Sequence, residues 1–304
     1  MKAPNTLVLG AFFVWSFITL MCQQTLISVK VFEVLTIQKM RRGIMTDILQ
    51  THPSVLPLVG GINFRDLGGK KLSNGGVIRP GMLFRSGSLD RLTNTDQSLL
   101  IDKNLFQIID YRDSGEIVDK PDRVWEGAQY YHAPANPLSK EVSANLEKLT
   151  PEILEQFDAK AFMFQLYQLL PINNPAYKQL AMLLKQPEKG GVVQHCAVGK
   201  DRTGIGSALV LFALGASLDV VMEDYLLTNE TLAPYRAYLL EEHAKTMSDN
   251  IVDKFAYVYS VQEAFLQTAL ASINQHYGNV DTWLEKDIGL DASSRDALQN
   301  YFLE

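Results

Sequence analysis

Apolar positions along this chain fall into two patterns, short unbroken runs and longer stretches that repeat at helical spacing. The runs Met82-Leu83-Phe84, Phe106-Gln107-Ile108-Ile109 and Val192-Val193 are too short for helices and end in polar or turn residues, so they predict buried strands. Residues 128–132 predict one more strand, ended by Pro134 and Pro137. A helix capped near Thr93 or Thr95 carries Leu99, Leu100 and Ile101. Residues 139–186 read as helical: Leu154, Phe157, Ala161, Phe164, Leu166, Leu169 and Leu170 recur up to Pro171, and Pro175 opens another helix through Leu184. Residues 203–214 are apolar on nearly every side, which predicts a central helix. Ser217 and Asp219 cap a helix through Leu227, and further helices are predicted at about 232–244, 251–276 and 294–303, with Gly278 and Gly289 as breaks. Strands with intervening helices and then a helical tail predict one α/β domain. Its short, mostly parallel central sheet would be flanked by helices, with a helical C-terminal part.

Composition narrows this picture. With 304 residues, 47% of them hydrophobic and 20% charged, the chain is globular and long enough to bury a sizeable core. Its net charge of −6 argues against nucleic acid or an anionic membrane surface as a bulk electrostatic partner, so any affinity for phosphate has to come from a local site. The two cysteines, Cys22 and Cys196, make neither a disulfide framework nor a zinc cluster. A reactive Cys196 would need a reducing compartment.

Residues 1–44 stand apart. Their apolar run from Leu7 to Cys22 follows Lys2 and precedes Lys30, Lys39, Arg41 and Arg42, which resembles a membrane anchor with its basic end in the cytoplasm. A start at Met45, with Arg41-Arg42-Gly43 as translated upstream sequence, is an equal reading, and cleaved secretion is a third. The expectation is a single folded domain over residues 45–304 in the cytoplasm, or membrane-anchored or secreted if residues 1–44 are translated.

The stretch that carries chemistry is His195-Cys196-Ala197-Val198-Gly199-Lys200-Asp201-Arg202-Thr203-Gly204, between a predicted strand and the central helix. A cysteine followed six positions later by arginine, with small residues between, suits a loop that wraps a tetrahedral dianion in backbone N–H groups. The helix N-terminus would favour both the anion and a thiolate. Arg202 supplies a planar fork for two phosphoryl oxygens, which lysine lacks. Thr203 would direct its hydroxyl at the sulfur or simply cap the helix. His195 is expected to orient the loop through hydrogen bonds, and Lys200 to stand at the rim, where it would hold a second phosphate. The bland alternatives are a buried inert cysteine, a surface ion pair for Arg65 and Asp66, a solvated loop for Asp110 and Asp113, and a structural His132.

His-Cys-x-x-Gly-Lys-Asp-Arg-Thr-Gly, with Asn63-Phe64-Arg65-Asp66-Leu67-Gly68-Gly69, Phe84-Arg85-Ser86-Gly87 and Ile109-Asp110-Tyr111-Arg112, resembles the bacterial atypical protein-tyrosine phosphatases of type 3 from about residue 56 to the C-terminus. The resemblance implies a protein-tyrosine-phosphatase-like fold and hydrolysis without metal or cofactor through a cysteinyl-phosphate. Its substrates would be phosphorylated proteins or phosphoinositides, with inorganic phosphate as product. It makes Cys196 the nucleophile and Arg202 the clamp, places Ala197, Val198, Gly199, Lys200 and Thr203 around the substrate, and packs residues 60–69 and 110–113 about the site. Residues 160–170 hold no carboxylate, although related enzymes carry an acid on a loop some thirty residues before the cysteine. The general acid is therefore expected to be Asp201, with Asp113 and then Asp110 behind it. The rivals are an inactive phosphoprotein- or phosphoinositide-binding module and a redox enzyme of the rhodanese or arsenate-reductase kind.

Overall fold

The computed structural model describes residues 52–73, 75–138 and 149–304. The readings made for residues 1–44, and for residues 139–148 of the predicted helical stretch, lie outside the described residues. No helix among the described residues is long and apolar enough to cross a membrane.

Five strands form one sheet: β1 (Arg65–Asp66), β2 (Leu83–Ser86), β3 (Leu105–Asp110), β4 (Gln129–His132) and β5 (Gly191–His195). Their order is β1-β2-β5-β3-β4, with β1 antiparallel to β2 and every other pair parallel. Side chains alternate between the two faces with the strand period. Leu83, Ile109 and Val192 enter one apolar cluster, while Phe84, Ile108 and Val193 enter the other. Both faces are thus covered, which is why these strands read as continuous apolar runs. The central strand β5 is buried throughout, and its last residue, His195, pairs with Ser86 of β2 and Asp110 of β3. Three carboxyl ends therefore meet at the loop after His195, where open α/β sheets place their ligands.

The helices before this loop are α1 (Asn94–Asp102), α2 (Ser114–Asp119), α3 (Pro151–Gln156), α4 (Ala159–Leu169) and α5 (Pro175–Leu184). Thr93, not Thr95, caps α1, in a reciprocal box with Asp96. Pro175 opens α5, as its fixed φ and missing N–H favour. After the loop comes α6 (Asp201–Ala213), beginning at Asp201 and buried along ten of its residues. Gly206 sits where it packs on the sheet: a Cβ there would lie 2.2 Å from the Gln194 side chain.

Downstream are α7 (Leu218–Leu226), α8 (Thr228–Thr231), α9 (Ala233–Ala244), α10 (Asp249–Tyr259), α11 (Glu263–Tyr277), α12 (Val280–Trp283) and α13 (Ala292–Phe302). The single helix expected over 251–276 is broken between α10 and α11, although no glycine or proline marks the place. Tertiary hydrogen bonds hold the break open. Asn229 donates to Val261 O at 2.8 Å and accepts from Val261 N at 2.9 Å, and Lys200 Nζ donates to Val258 O and Ser260 O. The helical stretch before Pro171 is likewise broken at Phe157 and Asp158, where Asp158 caps α4 through Ala161 N.

Candidate active site

The loop from Cys196 to Lys200 is shaped from behind. Ala197 O accepts from Ser88 N at 3.0 Å, Val198 O from Asn63 Nδ2 at 3.2 Å, and Gly199 O from both Asn63 Nδ2 at 2.8 Å and Arg85 Nη2 at 2.9 Å. With these carbonyls turned into the protein, the loop N–H groups are left without a protein acceptor among the described residues, which is the arrangement an anion needs. Gly199 has φ +68°, and a Cβ there would lie 2.5 Å from the Ser86 carbonyl, so the turn requires glycine.

Arg65 and Arg85 are fully buried behind the loop and share Asp224, at 3.6 and 2.6 Å. Arg65 also donates to Asp224 O, Thr228 and Asn63. The surface pair of Arg65 with Asp66 is therefore corrected. Asp66 instead accepts from Gly68 N and Gly81 N, and the buried Arg65 takes Asp224, since an unpaired buried guanidinium is costly.

Cys196 is 2% exposed. Burial raises its thiol pKa, but the Arg202 charge and the hydroxyl and N–H of Thr203 outweigh that and bring it below the ordinary value. The fully buried Thr203 hydroxyl makes no hydrogen bond of good geometry among the described residues, but it stands close enough to the sulfur to help lower the Cys196 thiol pKa. His195 lies under the loop, with Nε2 3.2 Å from Asp122, Nδ1 3.8 Å from Asp110 and 3.4 Å from Cys196 O. Burial lowers its pKa, yet the two aspartates raise it by more. Asp110, Asp122 and His195 have the spacing of metal ligands, but the Arg112 guanidinium already stands between the carboxylates, 2.8 Å from Asp110 and 2.6 Å from Asp122. His132 contacts Arg112 O at 2.8 Å, a structural place as expected.

Arg202 is held by a residue that sequence reasoning missed. Glu116, in the first turn of α2, accepts from Arg202 Nη1 at 2.7 Å and Nη2 at 2.9 Å, and also caps Asp113 N at 2.8 Å. Nη1 makes a second, longer bond to Tyr111 O at 3.4 Å. Nε–H and the second N–H of Nη2 remain, two parallel donors that match two phosphoryl oxygens. The Asp113-x-x-Glu116 spacing was legible as a capping box, whereas its reach to Arg202 was not.

The acid candidates separate clearly. Asp201 lines the cleft, its side chain 18% exposed, and Oδ1 accepts from the Tyr167 hydroxyl at 2.6 Å and from Lys200 Nζ at 2.7 Å. Asp113 is the N-cap residue of α2 and accepts from Asn136 at 3.0 Å. Asp110 is fully buried and bound by Arg112 and Tyr130, so its carboxylate is committed to the fold. Lys200 is a further correction. Instead of standing at the rim it is 1% exposed, and its three N–H donors go to Val258 O at 2.6 Å, Ser260 O at 3.0 Å and Asp201. An ammonium so enclosed has no donor left for a second phosphate.

Above the loop lies a cleft of about 430 Å³, floored by Ala197, Val198 and Arg202 and walled both by apolar and aromatic side chains such as Phe162, Leu166 and Phe255 and by polar ones such as Glu116, Lys120 and Asn136. The profile of the tyrosine phosphatase family matches residues 56–304, which covers the sheet, the loop and the cleft. The chain belongs to the tyrosine phosphatase family. The triple specificity protein phosphatase PtpB of Mycobacterium tuberculosis is 27% identical to this phosphatase over 279 residues, 82% of this chain and 99% of that protein. A Cupriavidus necator protein that carries a tyrosine-protein phosphatase name is 29% identical over 235 residues, 76% of this chain and 83% of its own. The solved structure of Pseudomonas aeruginosa TpbA with phosphotyrosine superposes on 66% of this chain and 90% of its own, with a TM-score of 0.29 and 15% identity.

Proposed function

We propose that this phosphatase hydrolyses phosphomonoesters through a cysteinyl-phosphate on Cys196, with phosphotyrosine in proteins as its leading substrate. The observation that carries the reading is the pairing of a buried thiol of lowered pKa with an arginine whose free fork points away from the glutamate that holds it. The loop N–H groups and Arg202 hold the phosphoryl oxygens. The Cys196 thiolate attacks phosphorus in line, the bond to the leaving oxygen breaks, and Asp201 gives that oxygen its proton. Water then attacks the phosphocysteine and passes a proton to Asp201. Cys196 departs as thiolate towards the Thr203 hydroxyl, and inorganic phosphate is released. Positioning and charge stabilisation supply most of the acceleration.

Phosphotyrosine fits the aromatic walls of the cleft, and the enclosure of Lys200 weighs against a polyphosphorylated lipid headgroup. A thiolate nucleophile suits a reducing compartment, so the cytoplasm is the proposed location. Hydrolysis of an aryl phosphate by the wild type and by Cys196→Ser tests the mechanism. The variant should lose roughly 10⁴-fold or more in rate, and equal rates would end the proposal. Acid quench of the wild type should trap phosphate on Cys196.

A further inference from the structure

Resting on the assignment of Asp201 as general acid, we infer that Tyr167, backed by Tyr225, is a positioning residue that reserves one oxygen of Asp201 for the transferred proton. The three side chains form a directed chain. Tyr225 donates its hydroxyl to the Tyr167 oxygen at 2.6 Å, and Tyr167 donates to Asp201 Oδ1 at 2.6 Å. With its oxygen already accepting from Tyr225, Tyr167 has its proton directed at the carboxylate. Lys200 Nζ reaches the same Oδ1 at 2.7 Å. An oxygen that accepts two donors is a poor place for a proton, so the acid's proton belongs on Oδ2. Both tyrosines are buried, which keeps the chain free of competing water, and both phenols are held well above their ordinary range by burial and by the Asp201 charge, so they stay protonated as donors.

The rings are fixed independently of their hydroxyls. Tyr167 stacks on Phe265 at 5.4 Å and meets Tyr225 edge-on at 6.2 Å, contacts that phenylalanine would keep. The titratable and charged groups acting on Asp201 are Lys200 beside it, Tyr167 from α4, Tyr225 from α7, Tyr177 from α5 and the Cys196 thiol. Removing the Tyr167 donor frees half of Oδ1, so the proton is no longer confined to Oδ2 and is delivered less directly to a poor leaving group.

The experiment compares kcat/KM of wild type, Tyr167→Phe, Asp201→Asn and the double variant on p-nitrophenyl phosphate and on phenyl phosphate across pH. Tyr167→Phe should lose roughly tenfold on phenyl phosphate, the scale of one hydrogen bond to a charged group, and at most about twofold on p-nitrophenyl phosphate. In the Asp201→Asn background the same change should cost nothing further. Iodoacetate should alkylate Cys196 at the wild-type rate in Tyr167→Phe, which shows the loop intact. Equal losses on both substrates, a full additional loss in the double variant, or slowed alkylation would each overturn the positioning role. Failure of the acid assignment has a different signature: Asp201→Asn would lose no more on phenyl phosphate than on p-nitrophenyl phosphate.

Discussion

Glu116 takes one donor from each terminal nitrogen of Arg202, at 2.7 and 2.9 Å, and so decides which edge of the guanidinium is left for a ligand. Burial raises the Glu116 carboxyl pKa, and the Arg202 charge and hydrogen bonds more than reverse that, so the pair is ionised at neutral pH. Glu116→Gln should keep the shape and lose the charge-assisted grip. On an aryl phosphate, kcat should fall and KM should rise, with kcat/KM down roughly tenfold or more. Steady-state kinetics check this. An unchanged KM would show that Arg202 needs no glutamate to present its fork.

The Thr203 hydroxyl helps hold the Cys196 thiol below its ordinary pKa. Thr203→Val should raise the Cys196 thiol pKa, because a donor to the thiolate is gone while Arg202 remains. The pH dependence of iodoacetate alkylation reads this directly. Its midpoint should lie below the ordinary thiol value in the wild type, move up in Thr203→Val and move up further in Arg202→Ala.

Lys200 ties the signature loop to the carbonyls at the break between α10 and α11. Lys200→Met should leave Asp201 and two carbonyls short of a donor and cost about 3 kcal/mol of stability, measured by urea unfolding. Its kcat/KM should fall by a similar factor for singly and multiply phosphorylated substrates. A loss confined to the multiply phosphorylated ones would restore Lys200 to the rim.

Stability should depend on pH in two opposite ways. Burial raises the Asp224 carboxyl, but Arg85, Arg65 and Lys70 hold it well below its ordinary 3.8, and Asp110 is depressed by His195 and Arg112 against a similar burial cost. Their folded pKa values lie below the unfolded ones, so this stabilisation is present above about pH 4 and is lost as pH falls through the folded values. His195 is raised, so its contribution is complete below its ordinary 6.5 and lost as pH rises through its folded value. Urea midpoints across pH should therefore fall on the acid side. Asp224→Asn should flatten that limb and cost about 4 kcal/mol, since it strands two buried guanidiniums.

The sequence by itself determined what obeys local rules. Apolar runs gave the strands β2, β3 and β5, Thr93 and Pro175 marked helix starts where they occur, and the strand–loop–helix setting of residues 195–204 was written in small residues around Cys196 and Arg202. These features depend on neighbours within a few positions, so periodicity and capping reveal them. Only the tertiary structure decided how each charge is used. Glu116 meets Arg202 across 86 positions, Asn63 reaches Gly199 across 136, Lys200 reaches Val258 across 58 and Tyr167 reaches Asp201 across 34. At the helix break after Tyr259 both kinds of information meet: Ser260 bonds back locally to Tyr257 O, while Asn229 and Lys200 hold Val261 and Ser260 from distant segments. A lysine in a phosphate loop has the same letters whether it faces solvent or three acceptors. Burial and partners set its role, and both arise only when distant segments pack.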